Sequence, residues 1–288
     1  MKKVAALVKH LSLDTVDLHN YIGTSKPIRG SNVFGGQVLA QALHAAYKTI
    51  PTERTVHSLH SYFLLPGKLH IPILYNVSEM RNGGSFSTRR VTATQEDRTI
   101  FILAASFHKK EKGYDHQEVM DLDLKQPEEL LSWNEMAKQF GDFIPPKLKA
   151  FLGMERPIDF KPTEIPNPME QKDMPAVEDV WFKLKGNTQS IDLPMKQQIL
   201  TYISDYNILR PTIKPHMGKS EHGSVQMASL DHSMWFFRDF DFDDWLLFSS
   251  RSPSTFGARG FATANIFTRD GKLIASLAQE GLLRPKSR

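Results

Sequence analysis

The chain has 288 residues, of which 40% are hydrophobic and 24% charged, and it contains no cysteine. This length suits one large domain or two ordinary ones, and the composition is typical of a soluble globular protein. The absence of cysteine excludes disulfides, thiolate catalysis and cysteine–zinc sites, and it fits a reducing compartment, which we expect to be the cytoplasm. The net charge of +4 comes from dispersed basic residues, so we expect no nucleic-acid partner.

No apolar run is long enough to span a membrane, so we expect no transmembrane segment. Residues 1–14 begin with two lysines, but Lys9 and His10 interrupt the apolar stretch that follows. This pattern predicts a helix over Val4–Leu11 rather than a signal peptide.

The first 110 residues predict one long helix followed by antiparallel strands. A short strand is expected around Thr15–Ile22. Val33–Ile50 then has apolar residues at helical spacing, and its small residues would let other backbone approach closely, so we expect a helix wrapped by a sheet. Turn signals separate the four predicted strands that follow: Val56–Leu65, Ile71–Arg81, Ser85–Gln95 and Thr99–His108.

Residues 111–190 are rich in proline and charge. They predict a helix around Glu128–Phe140 within an otherwise extended connector. From residue 191 onward the first pattern returns, with a helix over Met195–Ile208. The predicted strands are Gly223–Phe237, Asp244–Ser252, Phe256–Phe267 and Leu273–Leu283, with a hairpin turn at residues 269–271.

The two halves resemble each other at a spacing of about 170 residues, which indicates a duplicated unit. His60-Ser61 matches His232-Ser233, and we expect both histidines to make structural hydrogen bonds. The repeat predicts units at 1–110 and 191–288 whose two sheets join edge to edge. His57 and His108 fall near the repeat positions of the C-terminal candidate site described next, so we expect one active site in each chain rather than two.

Three segments each place one polar side chain in a run that otherwise resembles a core. They are LTYISDYN, QMASLDHSMWFF and LIASLAQEGLLR, and the polar residues are Asp205, Ser229 and Gln279. Buried polar groups need hydrogen-bond partners, and one water molecule held between these three would satisfy them all. When each residue is considered alone, an alternative stays open: Asp205 could be an exposed helix residue, and Ser229 or Gln279 could lie at a strand end that faces solvent. The chain has no Gly-x-Ser-x-Gly or His-Glu-x-x-His motif, and we expect no metal and no cofactor.

Several motifs along nearly the whole chain resemble the acyl-CoA thioesterase II family: VFGGQVLAQAL, VHSLHSYFLLPGK, NGGSFSTRRV, ISDYN, SLDHSMWFFRDF, STFGARGF and AQEGLLR. The resemblance implies an α+β double hotdog fold, in which each half is a long helix held by a curved antiparallel sheet. It also implies hydrolysis of acyl-CoA to a fatty acid and coenzyme A. By motif position, Asp205, Ser229 and Gln279 would hold the nucleophilic water, with serine at a position where threonine would be equally familiar.

Two other functions stay open on the sequence. A hotdog hydratase or dehydratase would act on the same thioesters. A non-catalytic acyl-CoA-binding module would keep a tunnel for the acyl chain but would not hydrolyse the thioester. A duplicated unit with exposed sheet surface also predicts a homodimer or homotetramer. Four basic residues could bind coenzyme A phosphates or simply face solvent: Arg89, Arg90, Lys109 and Arg259.

Overall fold

In the computed structural model of the protein, the described residues are 3–28, 30–121, 123–165, 172–218 and 225–285. The helices within them are α1 (Val4–Leu11), α2 (Gly35–Tyr47), α3 (Trp133–Gln139), α4 (Pro146–Gly153), α5 (Leu193–Ser204) and α6 (Arg210–Ile213). Within the described ranges, no helix has both the length and the apolar character needed to cross a membrane.

The strands of the first half are β1 (Asp14–Thr15), β2 (Asn20–Gly23), β3 (Arg54–Phe63), β4 (Ile73–Asn82), β5 (Phe86–Gln95) and β6 (Arg98–Lys109). Those that follow are β7 (Ile158–Pro162), β8 (Val177–Leu184), β9 (Val225–Ser229), β10 (Asp231–Phe236), β11 (Leu246–Phe256), β12 (Arg259–Thr268) and β13 (Leu273–Pro285). The predicted strand Gly223–Phe237 is therefore two strands, and residues 223–224 lie outside the described part.

All of these strands form one antiparallel sheet. Its order is β1-β2-β4-β5-β6-β3-β10-β13-β12-β11-β8-β7, and β9 pairs with the far end of β13. The hairpin turn predicted between β12 and β13 is confirmed, because Gly271 has a positive φ of 86° and its N–H bonds to the carbonyl of Thr268 at 2.9 Å.

The two halves join at β3 and β10, as the repeat predicted. His60 lies opposite Ser233 and Ser61 lies opposite His232 in this register. The Ser61 hydroxyl also donates a 2.9 Å hydrogen bond to the His232 carbonyl. Because β3 and β10 pair with each other, neither half has an unpaired strand edge where the two halves join.

The two long helices, α2 and α5, pack against each other in the core and run antiparallel. Four alanines of α2 are fully buried, which is the close packing that its small residues predicted: Ala40, Ala42, Ala45 and Ala46. At one end, the start of α2 meets the end of α5. At the other end, His44 of α2 hydrogen-bonds to Gln198 of α5 at 2.9 Å. There Asp192 caps the start of α5 by accepting from the Met195 N–H at 2.9 Å.

The prediction of an extended connector over residues 111–190 is wrong for its second part. β7 and β8 lie within this stretch and extend the sheet beyond β11. Trp181 and Phe182 of β8 are completely buried, so this edge contributes to the core. Prolines at both ends of β7 masked the strand in the sequence, because proline is tolerated at strand termini and sheet edges.

The repeat alignment of the two histidines is also wrong in three dimensions. His232 is completely buried on the inward face of β10, whereas His60 is exposed on the outward face of β3. The inward residue opposite His232 is Ser61. A register irregularity in β3 between Val56 and Ser58 accompanies this difference, since one extra residue moves every following side chain to the other face.

Candidate active site

Asp205 lies at the end of α5 rather than within the predicted helix Met195–Ile208. Helix α5 ends at Ser204, and Asp205 is the residue that follows its last turn, with φ −85° and ψ −3°. Pro211 lies beyond this helix end, in the first turn of α6. The half-buried Asp205 side chain therefore projects from a helix end towards the start of α2.

Ser229 and Gln279 come to the same place from two paired strands. Ser229 is the last residue of β9 and lies opposite Gly281 of β13. Gln279 lies two residues earlier on β13, where the alternation of the strand points its side chain inward, and it is completely buried. The inward row that it closes is buried as predicted: Leu273, Ala275 and Leu277.

The three predicted side chains are in direct contact. Oδ1 of Asp205 accepts hydrogen bonds from the Ser229 hydroxyl and from Nε2 of Gln279, both at 3.2 Å. Nε2 of Gln279 also donates to the Ser229 hydroxyl at 2.9 Å. One carboxylate oxygen is thus surrounded by two donors, and the three groups form a closed triangle.

The other carboxylate oxygen of Asp205 faces the N-terminal half of the chain. Oδ2 accepts a 2.8 Å hydrogen bond from the backbone N–H of Gly36, in the first turn of α2. A helix start carries free N–H groups and a partial positive charge, so it stabilises a carboxylate at this position. The site therefore combines side chains of the second half with the backbone of the first.

The glycine pair at the start of α2 makes this contact possible. A Cβ atom on Gly35 would lie 2.6 Å from Oδ2 of Asp205, and one on Gly36 would lie 2.4 Å from the Tyr202 carbonyl oxygen. Both distances are too short for a real side chain. The close approach of other backbone that the small residues of this helix predicted is found at Gly36, which faces the Tyr202 carbonyl of α5, whereas Gly35 faces the side chains of Asp205 and of Phe63 in β3.

His232 is part of the same network, which the sequence did not predict. Its Nδ1 hydrogen-bonds to Oε1 of Gln279, and its Nε2 lies 3.0 Å from the Ser204 hydroxyl. Burial lowers the pKa of His232 from 6.5 to about 4. The imidazole is therefore neutral at physiological pH. The signal available in the sequence was the alternation of β10, which places the His232 side chain on the inward face.

The other residues singled out in the sequence lie elsewhere. His57 bonds to the Ser106 hydroxyl at 2.8 Å, and His108 stacks on Phe86, both on the N-terminal half of the sheet. Arg89 is 1% exposed and binds the Thr49 carbonyl, so it is neither a free phosphate ligand nor a solvated side chain.

Within the ranges described, no three His, Cys, Asp or Glu side chains are grouped so that they could hold a metal ion.

Comparison with known proteins identifies the family. Residues 24–108 match the family described as acyl-CoA thioesterase N-terminal domain, and residues 149–282 match the acyl-CoA thioesterase family. The chain is 38% identical over 278 residues to acyl-CoA thioesterase 2 of Haemophilus influenzae, covering 96% of each chain. The chain belongs to the acyl-CoA thioesterase family. The family resemblance expected from the sequence is thereby confirmed.

Solved structures of acyl-CoA thioesterases and their structural relatives agree with the fold. The acyl-CoA thioesterase II TesB2 of Mycobacterium marinum superposes with a TM-score of 0.78 at 33% identity, over 97% of this chain and 99% of that one. A protein of unknown function with a hotdog fold from Alicyclobacillus acidocaldarius gives a TM-score of 0.77 at 17% identity, over 98% and 99%. The double hotdog α+β fold is confirmed.

Proposed function

We propose that this acyl-CoA thioesterase hydrolyses its substrate with a water molecule that Asp205, Ser229 and Gln279 activate and orient. The observation that carries the proposal is the convergence of two hydrogen-bond donors on Oδ1 of Asp205. The products would be a free fatty acid and coenzyme A.

In this mechanism the water takes the place of one of the direct side-chain contacts. The two bonds to Oδ1 are 3.2 Å long, at the upper end of the usual range, so exchanging one of them for a water bridge costs little. Asp205 accepts a proton from the water as general base, while Ser229 and Gln279 hold the oxygen in the direction of attack.

The water oxygen then bonds to the thioester carbonyl carbon, and the carbon–sulfur bond breaks as the tetrahedral intermediate collapses. The thiolate of coenzyme A leaves and takes up the proton that the water released. Negative charge on the carbonyl oxygen needs donors, and the start of α2, where Gly36 meets Asp205, supplies a positive helix end beside the site.

The test is thiol release from a series of acyl-CoA substrates of increasing chain length, with native protein and Asp205→Asn. We expect a decrease in kcat of about 10²-fold or more for Asp205→Asn, because asparagine cannot accept the proton. Asp192→Asn is the matched control: it changes a second aspartate at the other end of the same helix, and asparagine caps helices as well as aspartate does.

Each outcome is informative. Unchanged activity in Asp205→Asn with a native thermal transition would contradict the proposed site. Hydration of an unsaturated acyl-CoA without thiol release would favour the hydratase alternative. Binding of acyl-CoA without any reaction would favour the non-catalytic binding module.

We also propose that the chain acts as a homodimer or homotetramer in the cytoplasm. Large apolar side chains lie exposed on the outward side of the sheet near the seam of the two halves, including Tyr62 at 58% and Phe237 at 49% exposure. Exposed apolar side chains of this kind are frequent at subunit interfaces. Sedimentation equilibrium measures the assembly directly, and a monomer at micromolar concentration would contradict this proposal.

A further inference from the structure

His232 lies behind Gln279 and contacts its amide oxygen, whereas Asp205 and Ser229 contact its amide nitrogen. It is completely buried in β10, and Gln279, its neighbour across the strand pair, is completely buried as well. One ring nitrogen, Nδ1, faces Oε1 of Gln279, and the other, Nε2, faces the hydroxyl of Ser204. The side chain thus connects the last turn of α5 to β13.

The orientation of the Gln279 amide decides whether the triangle with Asp205 and Ser229 can form. With Nε2 towards Asp205, the amide donates to Oδ1 at 3.2 Å and to Ser229 at 2.9 Å. In the flipped orientation its oxygen would face a carboxylate oxygen, and two acceptors repel each other. A donor on the opposite side of the amide therefore selects the productive orientation, and His232 Nδ1 occupies that side.

The neutral imidazole can supply this donor in only one of its two tautomers. With the proton on Nδ1, the ring donates to Gln279 and Nε2 accepts from the Ser204 hydroxyl at 3.0 Å. With the proton on Nε2, Nδ1 would be an acceptor facing the acceptor Oε1. The Ser204 hydroxyl donates to the Thr201 carbonyl at 2.8 Å, and in the first arrangement it turns this single proton towards Nε2 instead.

We propose that His232 is a positioning residue, whose Nδ1–H holds the Gln279 amide with its NH2 group directed at Asp205 and Ser229. This role rests on the proposed function of those three residues. His232 donates no proton to the substrate and accepts none; it fixes the group that orients the water. Ser204, at the end of α5, contacts the other side of the ring and fits either tautomer, because its hydroxyl can donate to Nε2 or accept from it.

The test compares His232→Leu with His232→Asn in the thiol-release assay. Leucine fills the buried space without a donor, so the Gln279 amide is free to rotate, and we expect kcat to decrease about 10-fold to 100-fold with KM changed less than about twofold. Asparagine carries an amide nitrogen close to the position of Nδ1, so we expect it to restore kcat to within about fivefold of the native value.

His44→Leu is the matched control. His44 is another buried histidine that hydrogen-bonds to a glutamine, Gln198, at 2.9 Å, but it lies at the opposite end of the helix pair. We expect this variant to lose comparable stability while retaining native kcat. If His232→Leu lowers kcat no more than His44→Leu does, the positioning role is wrong.

Nitrogen NMR of the histidine ring gives a second readout that a merely structural role would not predict. Long-range couplings distinguish the Nδ1–H tautomer from the Nε2–H tautomer in the native protein, and the proposal requires Nδ1–H. An Nε2–H tautomer would contradict it whatever the kinetics show.

The outcome for Asp205→Asn separates the two proposals. If Asp205→Asn is inactive while His232→Leu keeps native kcat, only the role of His232 is refuted. If Asp205→Asn remains active, the proposed site is refuted and the positioning role is refuted with it.

Discussion

The backbone N–H of Gly36 donates a 2.8 Å hydrogen bond to Oδ2 of Asp205, a residue 169 positions further along the chain. This contact crosses between the two halves and fixes the carboxylate from the side opposite to Ser229 and Gln279. The proposed base is therefore oriented by backbone as well as side chains, and its geometry depends on how the two long helices pack.

We expect Gly35→Ala to impair activity strongly, although it adds only one methyl group. The new Cβ atom would lie 2.6 Å from Oδ2 of Asp205 and 3.0 Å from the ring of Phe63, so the carboxylate or the helix must move. Displacement of a catalytic group by about 1 Å can reduce the rate about 10²-fold, and overpacking costs about 1–3 kcal/mol of stability. Steady-state kinetics and chemical denaturation measure the two effects.

Gly84→Ala is the control for this substitution. No other heavy atom would lie within 4 Å of a Cβ at Gly84, which has no positive φ, so we expect native kinetics and stability. Native activity in Gly35→Ala would show that the close contact with Asp205 can relax without cost.

We expect Gln279→Glu to abolish most activity at neutral pH. Glutamate has the shape of glutamine, but it replaces the NH2 group with an oxygen. In the native protein the Gln279 nitrogen lies 3.2 Å from Oδ1 of Asp205, so the new oxygen would face Oδ1 at about this distance. Two carboxylates at this distance favour a shared proton, which removes the base. The kcat–pH profile should show a loss of about 10²-fold or more at pH 7. A native profile would contradict the role of the Gln279 amide.

Ser229→Thr and Ser229→Ala should behave differently. Threonine retains the hydroxyl that donates to Asp205 at 3.2 Å and accepts from Gln279 at 2.9 Å, so we expect activity within about threefold of native. Alanine removes both bonds and leaves neighbouring polar groups without partners, and we expect kcat to decrease about 10-fold to 100-fold. Equal rates for the two variants would refute a role for the hydroxyl.

Stability should decrease below pH 6.5 because of His232. Burial lowers the pKa of this imidazole from 6.5 in the unfolded chain to about 4 in the folded protein. The unfolded state therefore binds a proton before the native state does. The contribution of the neutral imidazole to the free energy of unfolding is fully present above pH 6.5. It is lost progressively as the pH falls from 6.5 to 4. The difference corresponds to about 3 kcal/mol.

Urea denaturation at a series of pH values measures this effect. The free energy of unfolding of His232→Asn should decrease less than that of native protein between pH 6.5 and 4. His10 and His44 also have a pKa lowered by burial, so some decrease should remain in the variant. Parallel curves for the two proteins would contradict the assignment to His232.

Much of the fold follows from periodicity and turn chemistry. The helix Val4–Leu11 was predicted with its observed bounds, and the strands of the first half agree within about two residues of those observed. The exception is the stretch Thr15–Ile22, which forms two short strands, β1 and β2, around a turn. The strands of residues 158–184 were missed because prolines and charges around an edge strand give the same pattern as a connector.

The candidate site was only partly predictable. Asp205, Ser229 and Gln279 each interrupt an apolar run, and the structure brings all three together. Gly36 and His232 could not be assigned, because their contacts depend on which helix end meets which, and on a strand register that the repeat alignment misplaced by one residue. Sequence periodicity gives the face of a strand only when no bulge shifts it.

The two ends of the helix pair are chemically unequal. At the far end Asp192 caps the start of its own helix, and the Tyr47 hydroxyl donates a hydrogen bond to Gln197. When a fold is duplicated within one chain, only one of the two equivalent positions needs to keep the catalytic groups, and we expect the far end to serve only in packing. We therefore expect each chain to bind one substrate at a time, and substitutions at the far end to act through the packing of the two helices rather than through catalysis.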